Sequence, residues 1–208
     1  IIDKEKYYVL LDEVQMLEHF EDVLNGFLKI QNVDVYVTGS NAKFLSKDII
    51  TEFRGRGYEV KIFPLCFLEY MSAYKGSIQA GLNEYLLYGG LPQILSCTTE
   101  EQKVKFLKSL FEETYIKDIK DRYDIRKKDD LEELINIMAS GIGALTNPNK
   151  LANSFRSEKK SSISYDTIKD YIDYLCDSFL VEKATRYDIK GKRYINSPFK
   201  YYFMELGL

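Results

Sequence analysis

The chain has 208 residues, 45% hydrophobic and 29% charged, the balance of an ordinary soluble protein with a buried core and room for one large or two small domains. Its 29 Lys+Arg against 32 Asp+Glu give a formal net charge of -3, which excludes a uniformly basic nucleic-acid wrapper and leaves only local basic patches for such a role. No apolar run approaches the roughly 20 residues of a membrane span, and charges interrupt the amino end, IIDKEKYY, too early for a signal peptide, so a cytoplasmic protein with no membrane partner is expected. Cys66, Cys97 and Cys176 are widely spaced and His19 is the single histidine, which disfavours both a zinc site and a disulfide framework. The 17 tyrosines are read as packing groups with a polar tip. The start at Ile1 rather than Met, and the stop directly after YYFMELGL, lead to the expectation of a piece of a longer protein.

In chain order, Tyr7 to Leu11 is an apolar run ending in Asp12-Glu13, read as a strand buried on both faces. Phe20, Val23, Leu24, Phe27 and Leu28 share one face of a helix, and Val33 to Val37 is a second strand stopping at Thr38-Gly39-Ser40-Asn41. Strand, helix and strand in this order form a βαβ unit, whose parallel strands bring Asp12, Glu13, Ser40 and Asn41 to one edge of the sheet. Glu59 to Phe63, ending at Pro64, is a candidate third strand. Helices are predicted over 65–74, 78–88, 101–115 and 131–142, with a turn at Gly89-Gly90-Leu91-Pro92. The mixed-charge stretch 117–130 reads as a solvated helix end and loop.

The last third predicts a helix over 147–155, a Ser/Lys-rich turn over 157–162 and a helix from Ser164 whose buried face is Ile168, Tyr171, Ile172, Leu175 and Phe179. Residues 180–189, a turn at Lys190-Gly191 and residues 192–195 then read as a β-hairpin, the order of a winged helix. The α/β fold class thus comprises a partial parallel sheet with three layers, then a helical region and a winged helix. The boundaries are 1–75, 76–145 and 146–208.

Adjacent carboxylates at the carboxyl end of a strand suit Mg-nucleotide hydrolysis, Asp12 holding the metal and Glu13 polarising the attacking water; acidic pairs also cap buried strands for solubility. Ser40 and Asn41, with Ser40 28 residues after Asp12, offer hydrogen bonds to a γ-phosphate or a lytic water, or else form a turn. Arg54 and Arg56 in FRGRGYEVKIFPL sit among glycines, where an exposed arginine either completes a neighbouring subunit's phosphate site or pairs with a surface carboxylate. The helix from Ser164 displays Asp166, Asp170, Asp173 and Asp177 against Lys169 alone, the wrong charge for a major-groove helix, so it is expected to face protein. Lys183, Arg186, Lys190, Lys192 and Arg193, joined by Lys159 and Lys160, make a basic wing that either touches a phosphate backbone or is simply solvated.

The succession LLDEVQ, VYVTGSNAKFLS, FRGR, IFPLCFLEY and YLLYGGLPQIL resembles prokaryotic AAA-type P-loop ATPases that carry a winged-helix segment and a restriction-nuclease-like module. SYDTIKDYIDYLCDSFLVEKATRYDIKGKR and KYYFMELGL extend the resemblance over nearly the whole chain. It implies ATP and Mg²⁺ as cofactors. Asp12 and Glu13 then match the acidic pair after the Mg-binding strand, Ser40 and Asn41 the sensor, and Arg56 the arginine of the family's Gly-Arg pair, with Arg54 as second candidate. A finger role for Arg56 implies a homo-oligomer, and the basic wing implies DNA as a partner.

No Gly-x-x-x-x-Gly-Lys-Ser/Thr loop occurs in these residues, so this stretch alone is expected not to bind ATP normally. By the resemblance that loop precedes the acidic strand and the nuclease-like module follows Leu208. Met204-Glu205 stands where the family more often has an acidic-polar pair. The reading from another class is a winged-helix adaptor for DNA or protein on a degenerate ATPase platform, without hydrolysis.

Overall fold

The computed structural model describes residues 5–39, 53, 56–125, 128–159, 163–187 and 198–208. It divides into two compact units, Ile1–Val60 and Lys61–Leu208. In the first, β1 (Tyr7–Leu11) and β2 (Val33–Val37) are parallel neighbours in register Tyr7↔Val33 to Leu11↔Val37, joined by helix α1 (Phe20–Phe27). Alternation along a strand sends Leu11, Val35 and Val37 to the face where Val14, Phe20, Leu24 and Phe53 form a small core.

The other face departs from the sequence expectation of strands buried on both sides. Tyr8, Leu10 and Tyr36 are 60%, 76% and 53% exposed. Among the described residues α1 packs on one face only, and no described residue covers the other. The expected third strand does not form among the described residues: 59–63 carry no regular secondary structure, with Ile62 89% exposed. A strand needs a neighbour to receive its backbone hydrogen bonds, and none of the described residues supplies one.

The second unit is helical with a small terminal sheet. Helix α2 (Phe67–Ala73) starts where Glu69 Oε2 accepts from the Cys66 N–H at 2.8 Å, a bond that holds the Glu69 carboxyl below its ordinary range. Helix α3 (Ile78–Tyr88) is capped by Ser77, whose Oγ accepts from Ala80 N at 3.2 Å, and ends at Gly89, φ 80°, a left-handed position that favours glycine. Helix α4 (Glu100–Ser109) opens with a reciprocal box between Thr99 and Gln102 and continues through a π-helical turn, Leu110–Ile116, into α5 (Lys117–Arg122).

The charged stretch is therefore helical through Arg122 rather than only a solvated end. Ile119 is fully buried, while Lys120 pairs with Glu132 at 2.6 Å and Arg122 with Asp118 at 2.8 Å on the outside. Helices α6 (Lys128–Ser140), α7 (Pro148–Lys159) and α8 (Tyr165–Asp177) close the main core with Leu131, Leu134, Phe155, Ile168 and Leu175. Ser164 caps α8 by accepting from Thr167 N at 3.0 Å.

Strand β3 (Val181–Ala184) pairs antiparallel with β4 (Lys200–Phe203), Val181 opposite Phe203 and Lys183 opposite Tyr201. The return strand expected at 192–195 lies outside the described residues; the described ladder partner comes after Pro198, where the inward alternation of Phe199 and Tyr201 matches the buried Val181. An isolated antiparallel bridge joins Thr146 to Phe199. The carboxyl end is tied back to the turn after α3, where Glu205 Oε1 accepts from Gly90 N at 2.8 Å and from Gly207 N at 3.3 Å. Among the described residues no helix is long and apolar enough to cross a membrane.

Candidate functional site

The parallel register fixes the site in the first unit. Because β1 and β2 run side by side, the residues just past their carboxyl ends, Asp12 and Glu13 on one and Thr38 on the other, meet at one edge. The Thr38 hydroxyl donates to Asp12 Oδ1 in a short hydrogen bond and accepts from the Glu13 N–H at 3.2 Å. The backbone closes the joint: Thr38 N donates to Leu11 O at 2.9 Å and Val14 N to Thr38 O at 3.1 Å.

Glu13 adopts a left-handed backbone, φ 49° and ψ 49°, uncommon for a residue with a side chain. That bend ends the strand and starts the short 3-10 turn Val14–Met16. Val14 is thereby turned into the core while Asp12 and Glu13 stay exposed. One threonine thus orients a carboxylate and the backbone of its neighbour together.

Arg56 is placed elsewhere in this unit. Its Nη1 donates to Asn25 Oδ1 on α1 at 3.4 Å, and its guanidinium lies 5.9 Å from the Phe53 ring centroid. Ser40, Asn41, Arg54, Lys190, Lys192 and Arg193 lie outside the described residues, as does Lys160. Thr38 was not singled out from the sequence, although it stands one residue beyond β2, where the parallel register sets it beside the Asp12-Glu13 pair.

Among the described residues no group of three or more His, Cys, Asp or Glu side chains assembles a metal site. The arrangement fits Mg²⁺ in a narrower sense. Magnesium keeps several waters and is held by one or two carboxylates plus substrate phosphates. Asp12, exposed and with one oxygen committed to Thr38, provides one such carboxylate.

The acidic helix of the second unit is as the sequence reads: Asp166, Asp170 and Asp173 are exposed, and Asp177 accepts from Tyr123 Oη at 3.3 Å.

Residues 1–71 match a family described as AAA domain, and residues 79–208 match a Domain of unknown function (DUF8612). An uncharacterised protein of Haemophilus influenzae is 35% identical over 99% of this chain and 52% of its own length. One from Methanocaldococcus jannaschii is 28% identical over 88% of this chain and 44% of its own. The chain thus spans about half the length of these curated relatives. The solved structure of the Aeropyrum pernix ORC1 protein in complex with DNA overlaps 96% of this chain and 61% of that one, with 10% identity and a TM-score of 0.31, a likeness too slight to carry an argument. The match over residues 79–208, more than half of the chain, makes the protein a member of the DUF8612 family, and its first 71 residues relate it to the AAA-type P-loop ATPases.

Proposed function

We propose that this chain carries the acidic half of an ATP-hydrolysing site and that the full-length protein is a cytoplasmic Mg-ATPase. The observation that carries the reading is the Thr38 hydroxyl bridging Asp12 and the Glu13 backbone at the carboxyl ends of two parallel strands. Mg²⁺ bound with ATP would neutralise charge on the phosphoryl oxygens. Asp12, with Oδ1 turned to Thr38, presents its second oxygen to the metal or to a metal-bound water. Glu13, exposed beside it, accepts a hydrogen bond from the attacking water and takes its proton.

Ser40 and Asn41 follow Thr38 in the chain and serve in this reading as the γ-phosphate sensor. Arg56 acts in a neighbouring subunit's site, which requires a homo-oligomer and the exchange of its long hydrogen bond to Asn25 for a phosphate oxygen. The full-length Glu13→Gln protein should bind ATP and hydrolyse it about 10²–10⁴-fold more slowly. Turnover at the wild-type rate would remove Glu13 from the chemistry.

The second unit favours an accompanying role as a winged helix. The order α6, the Thr146–Phe199 bridge, α7, α8, β3 and β4 supports that reading. The adaptor reading, in which this segment binds DNA or protein without hydrolysis, gains from the same order. Replacing Lys190, Lys192 and Arg193 together by alanine should weaken DNA binding and flatten its salt dependence. Unchanged binding would leave the segment facing protein.

A further inference from the structure

A cavity of about 280 Å³ opens in the second unit between the amino ends of α7 and α8 and the outer end of β3. Three cations line it, Lys169, Lys183 and Arg186, against a single carboxylate, Asp173. None of the three makes an ion pair among the described residues. Lys183 Nζ is held 4.1 Å from the ring centroid of Phe199, itself 8% exposed, which fixes one cation at the floor. At the rim, Tyr165 is 42% exposed and offers a ring face.

Convergent cations beside an aromatic ring are what a nucleotide unit requires, phosphate on the cations and base on the ring. The hydrogen-bonding groups fit the same ligand. Asn147 Oδ1 is committed to Lys150 N at 2.8 Å, which turns its amide nitrogen to other acceptors, and Asp173 supplies an acceptor for a base amino group. Polar side chains continue the path along α7 as Asn149, Asn153 and Ser157, which with Lys150 line an adjoining open groove.

The size of the cavity decides between strand forms. It lies at the small end of ligand pockets and admits one extruded base, whereas the bases of a duplex stay stacked within it and present only their edges. The acidic exposed residues of α8 also oppose its entry into a major groove. We infer that this cavity is a binding site for an unpaired nucleotide of single-stranded nucleic acid, with Lys183 and Arg186 on the phosphate and Tyr165 stacked on the base. The site takes Lys183 and Arg186 from the basic wing, uses none of Lys190, Lys192 and Arg193, and does not depend on hydrolysis at Asp12 and Glu13.

The test is fluorescence anisotropy of labelled oligo(dC) of about 12 nucleotides with the full-length protein, without ATP, beside a duplex of equal length. Oligo(dC) should bind at least about tenfold more tightly than the duplex. The Lys183→Glu/Arg186→Glu protein should lose about tenfold or more and show a salt slope smaller by about 1–2. Tyr165→Ala, at an exposed position that leaves the fold intact, should lose about tenfold through stacking. Lys169→Glu gives an independent loss from α8. No binding of oligo(dC), equal binding of the duplex, or full binding by both the charge-reversed protein and Tyr165→Ala would each overturn the inference. ATP hydrolysis measured without nucleic acid should be the same in all these variants, so failure of the hydrolase reading leaves this test standing.

Discussion

The two units contrast in where they place their polar groups. In the first, Val14, Phe20, Leu24 and Phe53 make a small core, one sheet face is uncovered among the described residues, and Asp12 and Glu13 stand exposed at the strand ends. In the second, the core runs from Ile116 to Tyr201, and a carboxylate, Glu205, is 4% exposed and bonded to backbone N–H groups. A carboxylate at the exposed sheet edge stays in contact with water. One buried against a glycine turn ties the segment after β4 to the turn after α3.

The largest effects that sharpen this contrast lie in the second core. Phe155→Ala, at a fully buried position, should cost about 3–5 kcal/mol, read as a lower urea midpoint of that unit. Leu24→Ala in the smaller core should cost about 2 kcal/mol, near the low end for such truncations, read by faster amide exchange on α1. An equal or larger loss at Leu24 would break the comparison.

Gly89→Ala comes next. A Cβ at φ 80° would overlap Glu205 Oε1 and part the carboxylate from Gly90 N, which should cost about 3 kcal/mol in strain and lost bonding. A thermal midpoint equal to wild type would show that the lock contributes nothing.

At the strand-end residues of the first unit the effects should be kinetic rather than structural. Thr38→Val removes the hydroxyl that joins Asp12 to the Glu13 backbone, so ATP turnover should fall at least about tenfold, a loss near 1.4 kcal/mol, while the unfolding midpoint moves little. Thr38→Ser keeps the hydroxyl and should restore most of the rate. If the valine variant turns over normally, the bridge is only a strand-end contact.

The smallest effect is on pH dependence. Burial raises the Glu205 carboxyl above its ordinary range, against the opposing pull of the Gly90 and Gly207 N–H groups. The folded protein therefore holds a proton that the unfolded chain releases. The contribution is fully present below the ordinary carboxylate range and is lost as pH rises through the raised folded value. Glu205→Gln should flatten that part of the stability profile, and an unaltered profile would place the titration elsewhere.

Local patterns were the legible part of this chain. The apolar run 7–11, the helical face of Phe20, Leu24 and Phe27 and the run 33–37 predict β1, α1 and β2, because each signal lies within one element. Helix α3 follows its predicted bounds since Ser77 and Gly89 punctuate both ends. The Asp12-Glu13 pair was readable for the same reason.

Pairings between distant residues were not readable. Lys200–Phe203 meets β3, and Gly90 reaches Glu205 across 115 positions, neither of which any local period encodes. The apolar run of β1 signals a preference for burial and does not encode which residues cover it. Thr38 was passed over in favour of the more polar Ser40 and Asn41, though its role depends on register alone.

The most direct measurement is steady-state ATP hydrolysis by the full-length protein, with and without Mg²⁺, for wild type and Glu13→Gln side by side with ATP binding. The account predicts Mg²⁺-dependent turnover in the wild type, and in Glu13→Gln retained binding with turnover reduced about 10²–10⁴-fold. No hydrolysis by the wild type, or equal turnover by the two proteins, would contradict it and leave the carboxylate pair as a solubilising cap on the strand.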